Sequence, residues 1–260
     1  MNEFTPVLYI FIVLISALGW YSSNLSLSGA FSASVVGIVI GAAFGWDGLI
    51  ILGVFFVSSS FWSRFKKGQK HAIDQKLAKT SKRDWQQVFA NGGPAAIFSI
   101  LYMGTNESSF FFAFLVSIAA ANSDTWASEI GPLSKGKPFS LRTLKRVEKG
   151  TSGAISLVGT LSSLLGSIVI ILFSYIMAPS MTIDEIIILS SLGFLGSIVD
   201  TMLGASVQVE YQCCRCGMRT EATNHCSFST EKVKGIVPVN NEVVNFVACT
   251  LPGLFVLIIY

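Results

Sequence analysis

Two carboxylic acids stand in stretches where lipid would penalise them. Asp124 lies in Ala119-Ala120-Ala121-Asn122-Ser123-Asp124-Thr125-Trp126-Ala127-Ser128-Glu129-Ile130-Gly131, and Asp200 in Gly193-Phe194-Leu195-Gly196-Ser197-Ile198-Val199-Asp200-Thr201-Met202-Leu203-Gly204-Ala205. An ionised carboxylate in an apolar helix is costly, which marks both as functional candidates. A purely structural role for Asp200, as a polar group hydrogen-bonded between helices, is the competing reading. Asp124 and Ser128 share a helix face at i,i+4, whereas Glu129 lies roughly 140° away. Glu129 reaches the same site only if the helix unwinds near Gly131-Pro132.

Two amide-rich stretches accompany the acids: Asn91-Gly92-Gly93-Pro94 and Asn240-Asn241-Glu242-Val243-Val244-Asn245. Acids, amides and glycines in one cleft have the composition of a Mg²⁺ and phosphate site. Asp124, Glu129 and Asp200 are the expected metal ligands and catalytic acids. Asn91, Asn122, Asn240, Asn241 and Asn245, with the hydroxyls of Ser123, Thr125, Ser128, Ser197 and Thr201, would position phosphate oxygens. Backbone at Gly92, Gly93, Gly153 and Gly204 would lie close to them. Ser152 is a candidate helix cap facing an anion. Lys145, Arg146 and Lys149 are the candidate nucleotide clamp, although membrane topology also explains them. There is no Walker A sequence.

Four of the five cysteines cluster late in the chain, as Cys213, Cys214, Cys216 and Cys226, with His225 beside the last. Cys213-x-x-Cys216 followed by His225-Cys226 has the ligand types of a small zinc knuckle, with Cys214 as a substitute. Adjacent His225 and Cys226 are hard to aim at one ion, so reduced, unliganded thiols are the equal alternative.

These residues must be held by membrane helices. The 260-residue chain is 52% hydrophobic and only 13% charged, with a mean hydropathy of +0.62, far from the roughly 25% charged residues of a soluble domain. Its net charge of +3 is too small to argue for a nucleic-acid partner. Glu3 is the only charge before the first apolar run, so that run reads as a span and not as a signal peptide. A window of about 19 residues predicts an all-α bundle of eight spans, with a range of six to nine. They are placed near 5–22, 28–46, 48–63, 85–103, 108–129, 152–178, 183–207 and 242–260. The second and third, divided by Gly45-Trp46-Asp47-Gly48, read alternatively as a re-entrant hairpin.

All eighteen Lys and Arg residues fall in the loops 64–84, 132–151 and 208–241. These alternate loops are therefore expected to be cytoplasmic within a single membrane domain, 1–260. Within 64–84, Lys residues mixed with His71, Asp74, Gln75 and Leu77 read as a surface helix.

The 119–131 motif, the 193–205 motif and Asn240-Asn241-Glu242-Val243-Val244-Asn245 together resemble the transmembrane protein 19 family of integral membrane proteins, which includes phytyl phosphate kinase. The resemblance covers essentially the whole chain. It implies a polytopic enzyme that phosphorylates an isoprenyl monophosphate of phytyl, farnesyl or geranylgeranyl type, using CTP or ATP. Asp124, Ala127, Ser128 and Gly131 are also loosely similar to a motif of CTP-dependent polyprenol kinases. The expected setting is a bacterial cell membrane with the active face cytoplasmic. A transporter or lipid flippase using the same acids is the rival reading, and a non-catalytic assembly factor organised by the Cys-rich loop is a third.

Overall fold

A computed structural model describes residues 5–66, 68–69, 78, 82–177 and 181–260. Among these are seven helices: α1 (Thr5–Tyr21), α2 (Leu27–Arg64), α3 (Trp85–Thr105), α4 (Ser108–Ile130), α5 (Leu157–Met177), α6 (Ile183–Ser206) and α7 (Asn241–Ile259). Five of them, α2, α4, α5, α6 and α7, are long and apolar enough to cross a membrane. The protein is thus a mainly helical membrane protein. Most of the predicted surface helix in 64–84, including His71, Asp74, Gln75 and Leu77, lies outside the described residues.

Polar residues start several helices by local chemistry. Asp84 and Gln87 form a reciprocal capping box at α3, and Thr182 and Glu185 form another at α6. At α7, Asn240 Oδ1 accepts from the Val243 N–H at 3.0 Å. The cap of α5 differs from expectation. Ser156 Oγ accepts from the Gly159 N–H at 3.1 Å, while Ser152 lies upstream and bonds α6 instead.

Helix α2 is folded back on itself. A straight helix of its 38 residues would be about 57 Å long. Yet Arg64, its last residue, donates to the carbonyl of Ser22, just before its first. The reversal occurs at Gly45, whose φ of 61° and ψ of −140° suit a residue without Cβ. Two antiparallel segments result, and Gly41 of the first sits against Leu49 of the second.

Helix α4 is the centre of the bundle, packed against α2, α3, α5, α6 and α7. Every residue from Ala113 to Ser123 is buried. The small residues of the motifs make this possible. A Cβ built at Gly196 of α6 would lie 2.4 Å from the Ala120 Cβ and 2.9 Å from the Ala248 carbonyl oxygen, so glycine alone lets α4, α6 and α7 meet there. The bundle's outside is apolar, with Ile10, Leu14, Leu157, Leu165, Ile187 and Ile258 exposed to the lipid.

Two small sheets sit outside the helices. Strands β1 (Phe139–Ser140) and β2 (Ala154–Ile155) form an antiparallel pair. Strands β3 (Glu210–Cys213), β4 (Arg219–Thr220), β5 (Asn224–His225) and β6 (Phe228–Lys234) form an antiparallel sheet in the order β4-β3-β6-β5. The sequence reading treated 208–241 as a loop. Its strands are two to seven residues long, and β6 is exposed along most of its length, so no apolar/polar alternation announces them.

Candidate functional site

The acid pair forms where three helices converge. Asp124 near the end of α4 and Asp200 near the end of α6 lie near enough to repel one another. Asn245, one turn into α7, completes the group. With its amide nitrogen turned toward both acceptors, it donates to Asp200 Oδ2 at 2.9 Å and to the Asn241 carbonyl at 3.1 Å. Buried Cys249, one turn further along α7, is within electrostatic reach of both acids. The hydroxyls of Thr125 and Thr201 donate within their own helices, to Ala121 O at 2.8 Å and Ser197 O at 2.9 Å. Their oxygens retain acceptor capacity. Ser197 is buried in the same α6 face.

Glu129 belongs to a different cluster. Helix α4 stays regular to Ile130 before a short 3₁₀ turn, Gly131–Leu133, so the unwinding that would bring Glu129 to Asp124 does not occur. Its Oε1 accepts from Ser63 of α2, and it attracts the guanidinium of Arg83. Arg83 is the cation that the sequence reading set aside as topological. Its side chain lies over the rings of Phe55 and Phe56, each 6.0 Å from the centroid. Its backbone is pinned on both sides, by Arg83 N–H to Asn24 O at 3.0 Å and Ser26 N–H to Arg83 O at 2.9 Å. Its position one residue before the Asp84/Gln87 capping box was the available signal, because that places it at a helix entrance.

Arg83 borders a half-open chamber of about 1070 Å³ between α1, both segments of α2, α3, α4 and α5. Phe11, Ile12, Ile15, Leu52, Val169 and Phe173 line it, so its wall is overwhelmingly apolar. The polar groups Arg83, Gln87, Asn91, Ser58 and Thr125 come from the ends of α2, α3 and α4 that lie near Glu129. Thr125 follows Asp124, about 100° further around the helix, so the chamber adjoins the turn of α4 that carries Asp124. Gly92 also lines the chamber and packs on Val36, while Gly93 is buried under Phe89.

Other predicted residues serve the bundle. Asn122 accepts from Ser58 at 3.0 Å and donates to Gly166 O at 2.7 Å. Ser123 donates to Ser163 O at 2.9 Å. Both residues are fully buried ties between helices. Asn240 is consumed as the α7 cap, and Ser128 is exposed. Lys149 donates to the carbonyls of Pro132 (2.9 Å) and Ser134, which holds its own loop, whereas Lys145 and Arg146 are exposed. Ser152 Oγ bonds Gly204 O at 3.1 Å and Gln208 Oε1 at 2.9 Å. Gly153 rests on Ala205.

The four-stranded sheet covers the same end of the bundle. Lys234 donates to Gly204 O at 2.6 Å, and Gln208 Nε2 donates to Glu221 Oε1 at 2.9 Å. Glu221, which the sequence reading did not single out, is pushed up to about 7 by burial first and by repulsion from Glu242 second. It also repels Asp200. At the far side of this sheet Cys213, Cys216, His225 and Cys226 converge, their ligand atoms all within 4.8 Å of one another. Positive φ at Cys226 (54°) and Ser227 (65°) forms a tight turn that turns both neighbours inward, overcoming the difficulty expected of adjacent ligands. Cys214 points away to Ser229 O. The Cys213 thiol is lowered to about 6, first by the backbone N–H of Cys216 and then by His225.

The sequence of residues 10–253 matches the family described as integral membrane protein DUF92. The chain belongs to this family. DUF92 relatives include Protein PGR of Arabidopsis thaliana, 29% identical over 93% of this chain and 92% of its own length. An uncharacterised membrane protein of Methanocaldococcus jannaschii is 32% identical over 92% of this chain and 87% of its own. Protein VTE6, chloroplastic, of Arabidopsis thaliana is 33% identical over 56% of this chain and 45% of its own. These relatives agree with the phytyl phosphate kinase family recognised from the motifs. No solved structure matches the chain.

Proposed function

We propose that this protein is a membrane phosphotransferase that converts an isoprenyl monophosphate to the diphosphate at the expense of a nucleoside triphosphate. The observation that carries this reading is the chamber: an apolar space of about 1070 Å³ is bordered by Arg83, Asn91 and Thr125, the last adjacent in sequence to Asp124. Arg83 is suited to hold the monophosphate, since a guanidinium meets phosphate oxygens in a fork. Glu129 and Ser63 orient it.

Asp124 and Asp200 fit Mg²⁺ by the chemistry of their donor set. The two carboxylates lie within electrostatic reach of each other with no Lys or Arg anywhere in α4, α6 or α7, an arrangement that a divalent cation would neutralise. Bound there, Mg²⁺ would offset charge on the nucleotide phosphates. Asn245 holds Asp200 in place for that duty. The step forms a bond between an oxygen of the lipid phosphate and the terminal phosphorus, and breaks that phosphorus from its bridging oxygen, which leaves on the nucleoside diphosphate. Because the acceptor is already an anion, no strong base is required, and Glu129 need not approach Asp124.

Eight helical segments crossing the membrane, with α2 counted as two, would put the three basic loops together on the cytoplasmic side. A transport role is less well supported, because the acids lie at one end of the bundle and not at its midplane. The test offers purified protein CTP or ATP with Mg²⁺ and phytyl, farnesyl or geranylgeranyl monophosphate. Nucleotide consumption only when an acceptor is present is expected. Absence of diphosphate product with every pair, alongside substrate-dependent ion flux in liposomes, overturns the proposal.

A further inference from the structure

We propose that Cys213, Cys216, His225 and Cys226 form a structural Zn²⁺ centre that locks the four-stranded sheet onto the cytoplasmic end of α6. Three soft sulfur ligands and one imidazole, in a small volume, suit tetrahedral zinc above the harder divalent ions. The ligand atoms are already within 4.8 Å of one another, a bound about 1 Å wider than the roughly 3.8 Å edge of an occupied tetrahedron with metal–sulfur bonds of about 2.3 Å, so small side-chain rotations close the site. Two turns aim them. The first is closed by Gly217 N–H to Cys213 O at 2.9 Å, with Gly217 at a φ of 70°. The second is the left-handed pair Cys226-Ser227. His225 Nδ1 lies 3.5 Å from Cys216 Sγ and 3.3 Å from Cys226 Sγ, so the imidazole is already among the sulfurs.

The centre's position indicates its purpose. The sheet is small and mostly exposed, and hydrophobic burial alone gives it little hold. Cys213 ends β3 and His225 ends β5, and both strands pair with β6. An ion joining those ends fixes the sheet's register. Register in turn places Lys234, at the end of β6, on the carbonyl of Gly204, and Gln208 against Ser152 and Glu221. Gly204 is one turn beyond Asp200 on α6. Three thiolates and a neutral imidazole would leave the centre with one net negative charge, beside Arg215, whose guanidinium lies 5.7 Å from the Phe228 ring.

The zinc assignment stands apart from the phosphotransferase reading, and its test needs no turnover. Full-length protein purified in detergent, under reducing conditions without chelator, should hold about one zinc per chain by elemental analysis. The Cys214→Ser variant should hold as much, because Cys214 bonds Ser229 and not the cluster. Cys216→Ser and Cys226→Ser should each lose most of it. Should those variants fold poorly, wild-type protein stripped with a chelator and given Co²⁺ should show the intense visible bands of a tetrahedral thiolate site. Stripping should expose 208–241 to protease, re-added Zn²⁺ should restore protection, and helical circular dichroism should hold throughout. No zinc together with no Co²⁺ bands, or equal zinc loss in Cys214→Ser and Cys216→Ser, overturns the assignment.

Discussion

Asp124 and Asp200 come within repelling reach of one another from two helices that pack together, whereas Cys213, Cys216, His225 and Cys226 meet across two turns of a short sheet. The acid pair depends on the bundle: it exists because Gly196 lets α6 press against Ala120 of α4. Little burial supports the cysteine cluster, and its geometry rests on backbone conformation at Gly217, Cys226 and Ser227. The first site is therefore expected to survive any change that spares helix packing. The second is expected to be sensitive to whatever holds its own ligands.

The largest effect should come from removing charge at the acid pair. Asp124→Asn and Asp200→Asn keep volume, so expression and helical content should persist while phosphoryl transfer falls by roughly a hundredfold or more. Activity retained at the wild-type Mg²⁺ dependence in both variants would make the pair structural and erase its distinction from a packing contact. Next in size is Arg83→Gln, which should raise KM for the lipid phosphate by about tenfold or more while the nucleotide KM changes little. Arg83→Lys should recover only part of the loss, since an ammonium cannot reproduce the fork. Equal KM effects on both substrates would detach Arg83 from the chamber.

A smaller effect is expected from packing. Gly196→Ala inserts a methyl group against Ala120 and the Ala248 carbonyl, and should cost about 1–3 kcal/mol. Thermal unfolding in detergent should show lowered Tm with zinc content unchanged. Loss of zinc in that variant would show that the two regions are not separable. The smallest effect concerns Glu221. Its folded-state value of about 7 lies above the ordinary 4.5, so the linked stability is full below about pH 4.5 and is lost as pH rises through 7. Glu221→Gln should therefore flatten the pH dependence and unfold at a higher temperature than wild type at pH 8, with little difference at pH 4. An unchanged slope between those pH values would rule out Glu221 as its source.

Much of the fold was legible because its signals are local. Apolar runs marked the helices, and Gly45 between two apolar segments marked the reversal. Asp200 was legible as a site residue because a charge in an apolar run is anomalous wherever the helix packs. Arg83 was not, because it belonged to a basic loop whose charge membrane topology already explained. Ser152 was assigned the cap that Ser156 performs, an error of one helical turn where several small polar residues follow one another.

The sequence by itself determined that this is a helical membrane protein, that acids stand in its apolar stretches and a Cys-x-x-Cys pair late in the chain, and that its positive charge collects in three segments. Those properties follow from composition and from helical period, which need only neighbours in the chain. Tertiary structure decided that Asp124 comes within electrostatic reach of Asp200, that Glu129 instead acts on Arg83, and that Arg83 and Thr125 border an apolar chamber. It also decided that a sheet rests on the end of α6. Many pairings of these helix faces would bury similar apolar area. The choice among them rests on close approaches such as Gly196 against Ala120, which become visible only once both helices are in place.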